Sequence, residues 1–151
     1  MLVFNIRKAK FATSLSASGI ENRWNKEDEF IIYTGSSVSL ATLEMVAHRS
    51  AIKTHNDYKL LNIKLEIDEK ADVTAINIDD LPKNWRSINA YPLLQEIGSE
   101  WYRSKKSLIL KVPSALVPRE YNFLINTRHP DFEKKVTLLE SEDFEWDGRL
   151  L

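Results

Sequence analysis

Cysteine is absent from all 151 residues, which excludes disulfides and thiolate nucleophiles in one step. Glycine is scarce, at four residues, and neither Gly-x-Gly-x-x-Gly nor Gly-x-x-x-x-Gly-Lys-Ser/Thr occurs. The chain therefore carries no Rossmann or P-loop cradle for phosphates. No apolar run approaches the roughly 20 residues that span a bilayer. The opening Met1-Leu2-Val3-Phe4-Asn5-Ile6-Arg7-Lys8 is charged too early for a signal-peptide core, so a soluble, cytoplasmic protein is expected. Charge of one sign is lacking too: 21 Lys and Arg against 22 Asp and Glu leave a net charge of -1. That balance gives no reason to expect direct nucleic-acid binding, and Lys105-Lys106 and Lys134-Lys135 read as solvated surface pairs. The three histidines, His48, His55 and His129, show neither metal-ligand spacing nor a Ser-His-Asp arrangement.

What is present suits one domain with a real core: 43% of residues are apolar and 28% charged. Leu2 to Ile6 reads as a first strand, followed by a Ser- and Gly-containing loop from Thr13 to Gly19 and a charged turn from Lys26 to Glu29. Phe30 to Tyr33 has the β-branched and aromatic makeup of a buried strand. Ser36 or Ser37 can cap a helix in which Val38, Ala41, Thr42, Met45 and Val46 form one stripe, widened by Leu40, Leu43 and Ala47. Such a helix is expected to be well buried. Further strands are expected at Leu60 to Ile67, Val73 to Ile78, Ser107 to Val112, Tyr121 to Asn126 and Lys135 to Leu139. A second helix is expected from Tyr91 to Arg103, and the acidic tail after Glu140 reads as peripheral. Helices and strands intermix without a βαβ rhythm, so the fold class is α+β.

Glu44 is the one carboxylate in its apolar helix. A buried carboxylate must be paired or hydrogen-bonded, so Glu44 reads as a cleft residue, as a structural partner of Arg23 or another arginine, or as part of a helix edge turned to solvent. Arg23, beside Trp24, can grip a phosphate or a carboxylate bidentately. Tyr33 ends its strand at a turn, where its ring can stack on a planar heterocycle or simply fill the core. Ser114 follows Pro113 at a strand end, without a Gly-x-Ser-x-Gly elbow. His129 lies in a turn and reads as structural.

Four stretches together resemble the RES domain, the toxin half of a bacterial toxin–antitoxin system. They are Arg23-Trp24-Asn25, Tyr33-Thr34 through Leu43-Glu44, Ile97-Gly98-Ser99-Glu100-Trp101, and Val112-Pro113-Ser114 through Asn126 to Phe132. The resemblance implies a single domain over residues 1–151 with an ADP-ribosyltransferase-like fold, a split mixed sheet holding NAD in a cleft. It implies NAD as substrate, no metal, and cleavage of the nicotinamide–ribose bond by hydrolysis or phosphorolysis. Arg23, Tyr33, Glu44 and Ser114 match the family's arginine, tyrosine, glutamate and serine, with Asn126 supporting the loop behind Ser114. The implied partner is an antitoxin with an Xre-like helix-turn-helix domain that takes over DNA binding.

The chain departs from the pattern in three places. Phe4-Asn5 stands where the family usually has Tyr-Arg, Glu21-Asn22 where it has two glycines, and Thr127 where it has proline. Arg7 or Lys8 are the nearest substitutes for the missing first-strand arginine. Two alternatives follow: an ADP-ribosyltransferase acting on a host protein, and a weakened binding module for an antitoxin.

Overall fold

The computed structural model describes every residue from Met1 to Leu151. In chain order the elements are β1 (Leu2–Lys8), β2 (Ile31–Gly35), α1 (Val38–Val46), β3 (Tyr58–Leu65), the one-turn α2 (Glu69–Asp72) and β4 (Val73–Ala75). They continue with α3 (Tyr91–Ser104), β5 (Ile109–Pro113), β6 (Tyr121–Asn126), the one-turn α4 (Phe132–Lys135) and β7 (Val136–Phe144). The strands form a seven-stranded sheet ordered β4-β5-β6-β2-β1-β3-β7. All neighbours are antiparallel except the parallel pair β4 and β5. The fold class is α+β, as the mixed succession of elements requires.

Alternation along the strands builds two different faces. Val3, Ile32, Leu61, Ile63, Leu65, Ile109, Phe123 and Ile125 form a continuous core on one face, where Ala12, Leu15 and Ala17 of the loop after β1 cover it. The other face carries two separate clusters. Under α3, Trp24, Ile31, Leu94, Trp101, Leu110, Val112 and Leu124 pack together. Under α1, Ile6, Ala41, Ile52, Tyr58 and Leu60 pack with Phe4, Met45, Phe144 and Trp146.

The sheet itself divides between those clusters. β1 and β3 pair over seven residue positions, Leu2↔Lys64 to Lys8↔Tyr58, yet β1 and β2 pair only at Phe4↔Gly35. The two halves are held by the shared core on the first face and open on the second. Gly35 lets α1 fold back over the end of β2, because a Cβ there would lie 2.9 Å from the Ala41 amide nitrogen. Ser37 caps α1, its side chain accepting from the Leu40 amide at 3.0 Å.

Several expectations need correction. α1 buries only Leu40 and Ala41, while Val38 and Leu43 are exposed; the helix lies on the sheet along one edge and leaves its apolar outer face in solvent. The segment after Glu140 is not a peripheral tail, because β7 continues to Phe144 and pairs with β3 as the sheet edge. Acidic residues suit that edge: Lys59 meets Asp143, and the Asn62 amide donates to Glu142. β4 stops at Ala75, after which Asn77 caps a short 3-10 turn. The charged turn from Lys26 to Glu29 is present, closed by the Glu29 amide on the Lys26 carbonyl, with the Glu29 carboxylate buried and accepting from the Ser99 hydroxyl and the Lys26 amide.

Candidate functional site

A cleft of about 800 Å³, counted out to its mouth, lies at the split in the sheet. Phe4, Asn5 and Ile6 of β1 form one wall and Tyr33, Thr34 and Gly35 of β2 the other. α1 contributes Ala41, Glu44 and Met45, and α3 contributes Tyr91. Arg23 and Trp24 enter from a tight turn closed by paired backbone hydrogen bonds between Asn22 and Asn25, at 3.1 and 3.3 Å.

α3 reaches that turn unusually closely. A Cβ on Gly98 would sit 1.7 Å from the Trp24 carbonyl oxygen, so only glycine permits the contact. The Gln95 side chain donates to the Asn22 carbonyl at 2.9 Å, and Lys26 pairs with Glu96. The turn is thereby fixed to a rigid helix, which is what a precise arginine position requires.

Arg23 points its Nη1 at the Trp85 and Arg86 carbonyls, at 3.2 and 3.1 Å, and its guanidinium lies 4.9 Å from the Tyr91 ring centroid. Its Nε and Nη2 make no hydrogen bond to the protein and remain available to an anion. Glu44 is half-buried and forms no ion pair with Arg23 or any other residue. The structural-partner reading of Glu44 therefore fails. Its Oε1 instead accepts from the Ser114 hydroxyl at 2.9 Å, which leaves Oε2 free to face a ligand.

Ser114 is fully buried at the end of β5 and does not line the cleft, although Pro113 and Ala115 on either side of it do. Its oxygen also accepts from the Leu116 and Val117 amides, both at 3.1 Å. With two N–H groups on the oxygen, the hydroxyl proton is directed at Glu44. Ser114 thus aims the carboxylate from behind.

Asn126 lies at the other end of β6 and is not part of this group. Its amide donates to the Tyr102 carbonyl and accepts from the Arg128 amide, both at 2.9 Å, holding the turn after β6. Arg7 does not replace the missing arginine either. Strand alternation puts Asn5 and Arg7 on the opposite face from α1, and Arg7 donates to Asn5 Oδ1 at 2.7 Å and to the Phe11 and Ser16 carbonyls. Lys8, on the strand's last position, is also outside the lining. Asn5 spans the gap itself, its Nδ2 donating to the Tyr33 carbonyl at 2.8 Å. A side chain there supplies the hydrogen bond that the split ladder cannot.

Tyr91, Asn122 and His48, none of them a site candidate by sequence, also line the cleft. His48 lies just beyond the end of α1 at Val46, so helical spacing from Glu44 does not by itself place it at the cleft. Tyr91 and Asn122 carried no signal either, since only the tertiary fold brings them to Arg23 and to the Thr34 carbonyl.

Against known families, the RES domain model matches residues 3–147. The chain belongs to the RES domain family. It is 38% identical over 138 residues to "Toxin Res" of Yersinia enterocolitica, covering 91% of this chain and 89% of that one. It is 32% identical over 155 residues to "Toxin Res" of Photorhabdus laumondii, covering 100% and 97%. To the "Prs ADP-ribosylating toxin" of a Sphingobium species it is 34% identical over 123 residues, covering 80% and 76%. Among solved structures, the M. tuberculosis MbcT-MbcA toxin–antitoxin complex matches with a TM-score of 0.73 at 16% identity, covering 95% of this chain and 84% of that one. The mixed sheet of this RES chain is therefore a fold shared with that toxin–antitoxin structure.

Proposed function

We propose that this RES chain is the toxin of a toxin–antitoxin pair and cleaves the nicotinamide–ribose bond of NAD. The observation that carries the reading is the meeting of Arg23, Tyr33 and Glu44 in one cleft, with Ser114 aiming the glutamate. The cleft has aromatic walls for a planar ring in Tyr33 and Tyr91, a cation with free donors in Arg23, and one uncommitted carboxylate oxygen. A dinucleotide needs those three features.

In the reaction the bond between the anomeric carbon and the nicotinamide nitrogen breaks, and its electron pair neutralises the cationic ring. Positive charge develops on the ribose, where Glu44 stabilises it; Arg23 holds the pyrophosphate and Tyr33 faces the departing ring. Water then bonds to the anomeric carbon and loses a proton, giving ADP-ribose, or phosphate does so and gives ADP-ribose 1-phosphate. The partner is an Xre-like antitoxin that closes the cleft, and the setting is the cytoplasm.

A second reading keeps the cleft and changes the acceptor to a protein. The relationship to the Sphingobium ADP-ribosylating toxin favours it. Expression of wild type and Glu44→Ala, with NAD carrying label in its adenylate half, tests both. Arrest and NAD loss that need Glu44 support the enzyme, and label on a protein band identifies transfer. Equal arrest by both forms contradicts the mechanism.

A further inference from the structure

Asn25 is 1% exposed and has no part in the steps above. Its side-chain nitrogen faces three backbone carbonyls, those of Ile20 at 3.0 Å, Lys26 at 2.9 Å and Glu29 at 3.4 Å. Only the NH2 end of the amide can occupy that position, because an oxygen would meet three acceptors with no donor between them. Oδ1 must then face the other way, where the Tyr33 hydroxyl donates to it at 2.6 Å. The Tyr33 oxygen in turn accepts from the Trp24 amide at 3.1 Å. Both polar capacities of the hydroxyl are thus committed to the Trp24-Asn25 turn, while Tyr33 contributes to the cleft lining.

We infer that Asn25 is a positioning residue: by accepting the Tyr33 proton it holds that ring as a fixed wall of the cleft and removes the hydroxyl from proton transfer. Its effect on rate rests on the NAD reading. Burial and the neighbouring Tyr91 and Glu29 raise the Tyr33 pKa, against the opposing Trp24 amide and Arg23. A hydrogen bond donated by the neutral phenol acts in the same direction as burial. The Asn25 backbone also closes the turn that carries Arg23, so this one residue ties two walls of the site together, one through its side chain and one through its main chain.

The test begins with tyrosines labelled with 13C at Cζ, the Tyr33 resonance being assigned by its loss in Tyr33→Phe. In wild type that resonance stays at its neutral position through the ordinary tyrosine range near pH 10. In Asn25→Ala it titrates closer to that range. Asn25→Ala also lowers kcat for nicotinamide release by about tenfold, and in the Tyr33→Phe background by less than about threefold, because the shared interaction is already gone. Tyr33→Phe, which keeps the ring, retains at least about tenfold more activity than Tyr33→Ala.

The inference is overturned if wild-type Tyr33 titrates with the other tyrosines, a result that stands even if Asn25→Ala fails to fold. It is also overturned if the Asn25→Ala effect is as large without the hydroxyl as with it. Absence of nicotinamide release from wild type would overturn the NAD reading alone, since the titration uses no NAD.

Discussion

Replacing Gly98 with alanine sets a local preference against a tertiary contact, and the two predict opposite signs. Gly98 lies inside α3, where alanine is favoured by about 1 kcal/mol in an ordinary helix. Here the new Cβ would lie 1.7 Å from the Trp24 oxygen and 2.8 Å from the Trp24 carbonyl carbon. Both are backbone atoms and cannot swing aside. Reaching an ordinary C···O contact of roughly 3.3 Å requires a separation of about 1.6 Å between helix and turn. The movement strains the Gln95–Asn22 bond, the Lys26–Glu96 pair and the Ser99–Glu29 bond together. Overpacking costs about 1–3 kcal/mol, and each strained hydrogen bond about 1 kcal/mol. Set against the helix gain, the net loss is about 4 kcal/mol, a fall in Tm of roughly 8–16 °C for a chain of this size. Thermal melting followed by circular dichroism reads the change directly. Nicotinamide release should fall as well, because Arg23 moves with the turn. An unchanged or higher Tm would refute the reasoning, showing that α3 and the turn are not in the contact described.

Ser114→Ala removes the hydroxyl that aims Glu44 and leaves the Leu116 and Val117 amides without their acceptor. Stability should fall by about 1–3 kcal/mol in denaturant titration, with kcat reduced more than KM changes; an effect on KM alone would contradict the aiming role. Asp72 is buried and held by Lys135, whose Nζ lies 2.9 Å from both carboxylate oxygens. That hydrogen bond, ahead of the opposing burial, lowers the Asp72 pKa below its ordinary value. Its stabilisation is therefore complete above pH about 4 and is lost as pH falls through the lowered folded value. Lys135→Met should lower Tm at neutral pH and flatten the decline as pH falls below the ordinary aspartate range. A parallel decline in wild type and variant would show that the pair does not supply the acid sensitivity. Leu61→Ala, at a fully buried position in the core that joins the two half-sheets, should cost about 2–5 kcal/mol. A loss below 1 kcal/mol in chemical denaturation would contradict that central place.

The sheet was legible where residues alternate. β3 and β6 show their buried sides in Leu61, Ile63, Phe123 and Ile125, and periodicity needs nothing beyond the chain itself. The extension of β7 to Phe144 was hidden because an edge strand tolerates acidic residues that an interior strand would not. The exposure of Leu43 was hidden for the opposite reason, since an apolar stripe does not say which part of it meets the sheet. At the site, residue type singled out Glu44 and Arg23, but their relation was not readable. Glu44 turned out to be aimed by Ser114, 70 positions away, and Arg23 is held by carbonyls of Trp85 and Arg86. The most consequential feature, the split between β1 and β2, is a failure of pairing, and no local pattern announces a missing ladder. Asn5 makes the point in one residue: by type a departure, by position the bridge across that split.

The measurement closest to the central claim is nicotinamide release from NAD by the purified chain, followed by chromatography with and without phosphate, beside Glu44→Ala. Wild type should release nicotinamide and the variant should lose about a thousandfold, equal to about 4 kcal/mol of transition-state stabilisation. A phosphate requirement would name the acceptor. Equal release by wild type and Glu44→Ala, or none from the folded wild-type chain, would contradict that claim.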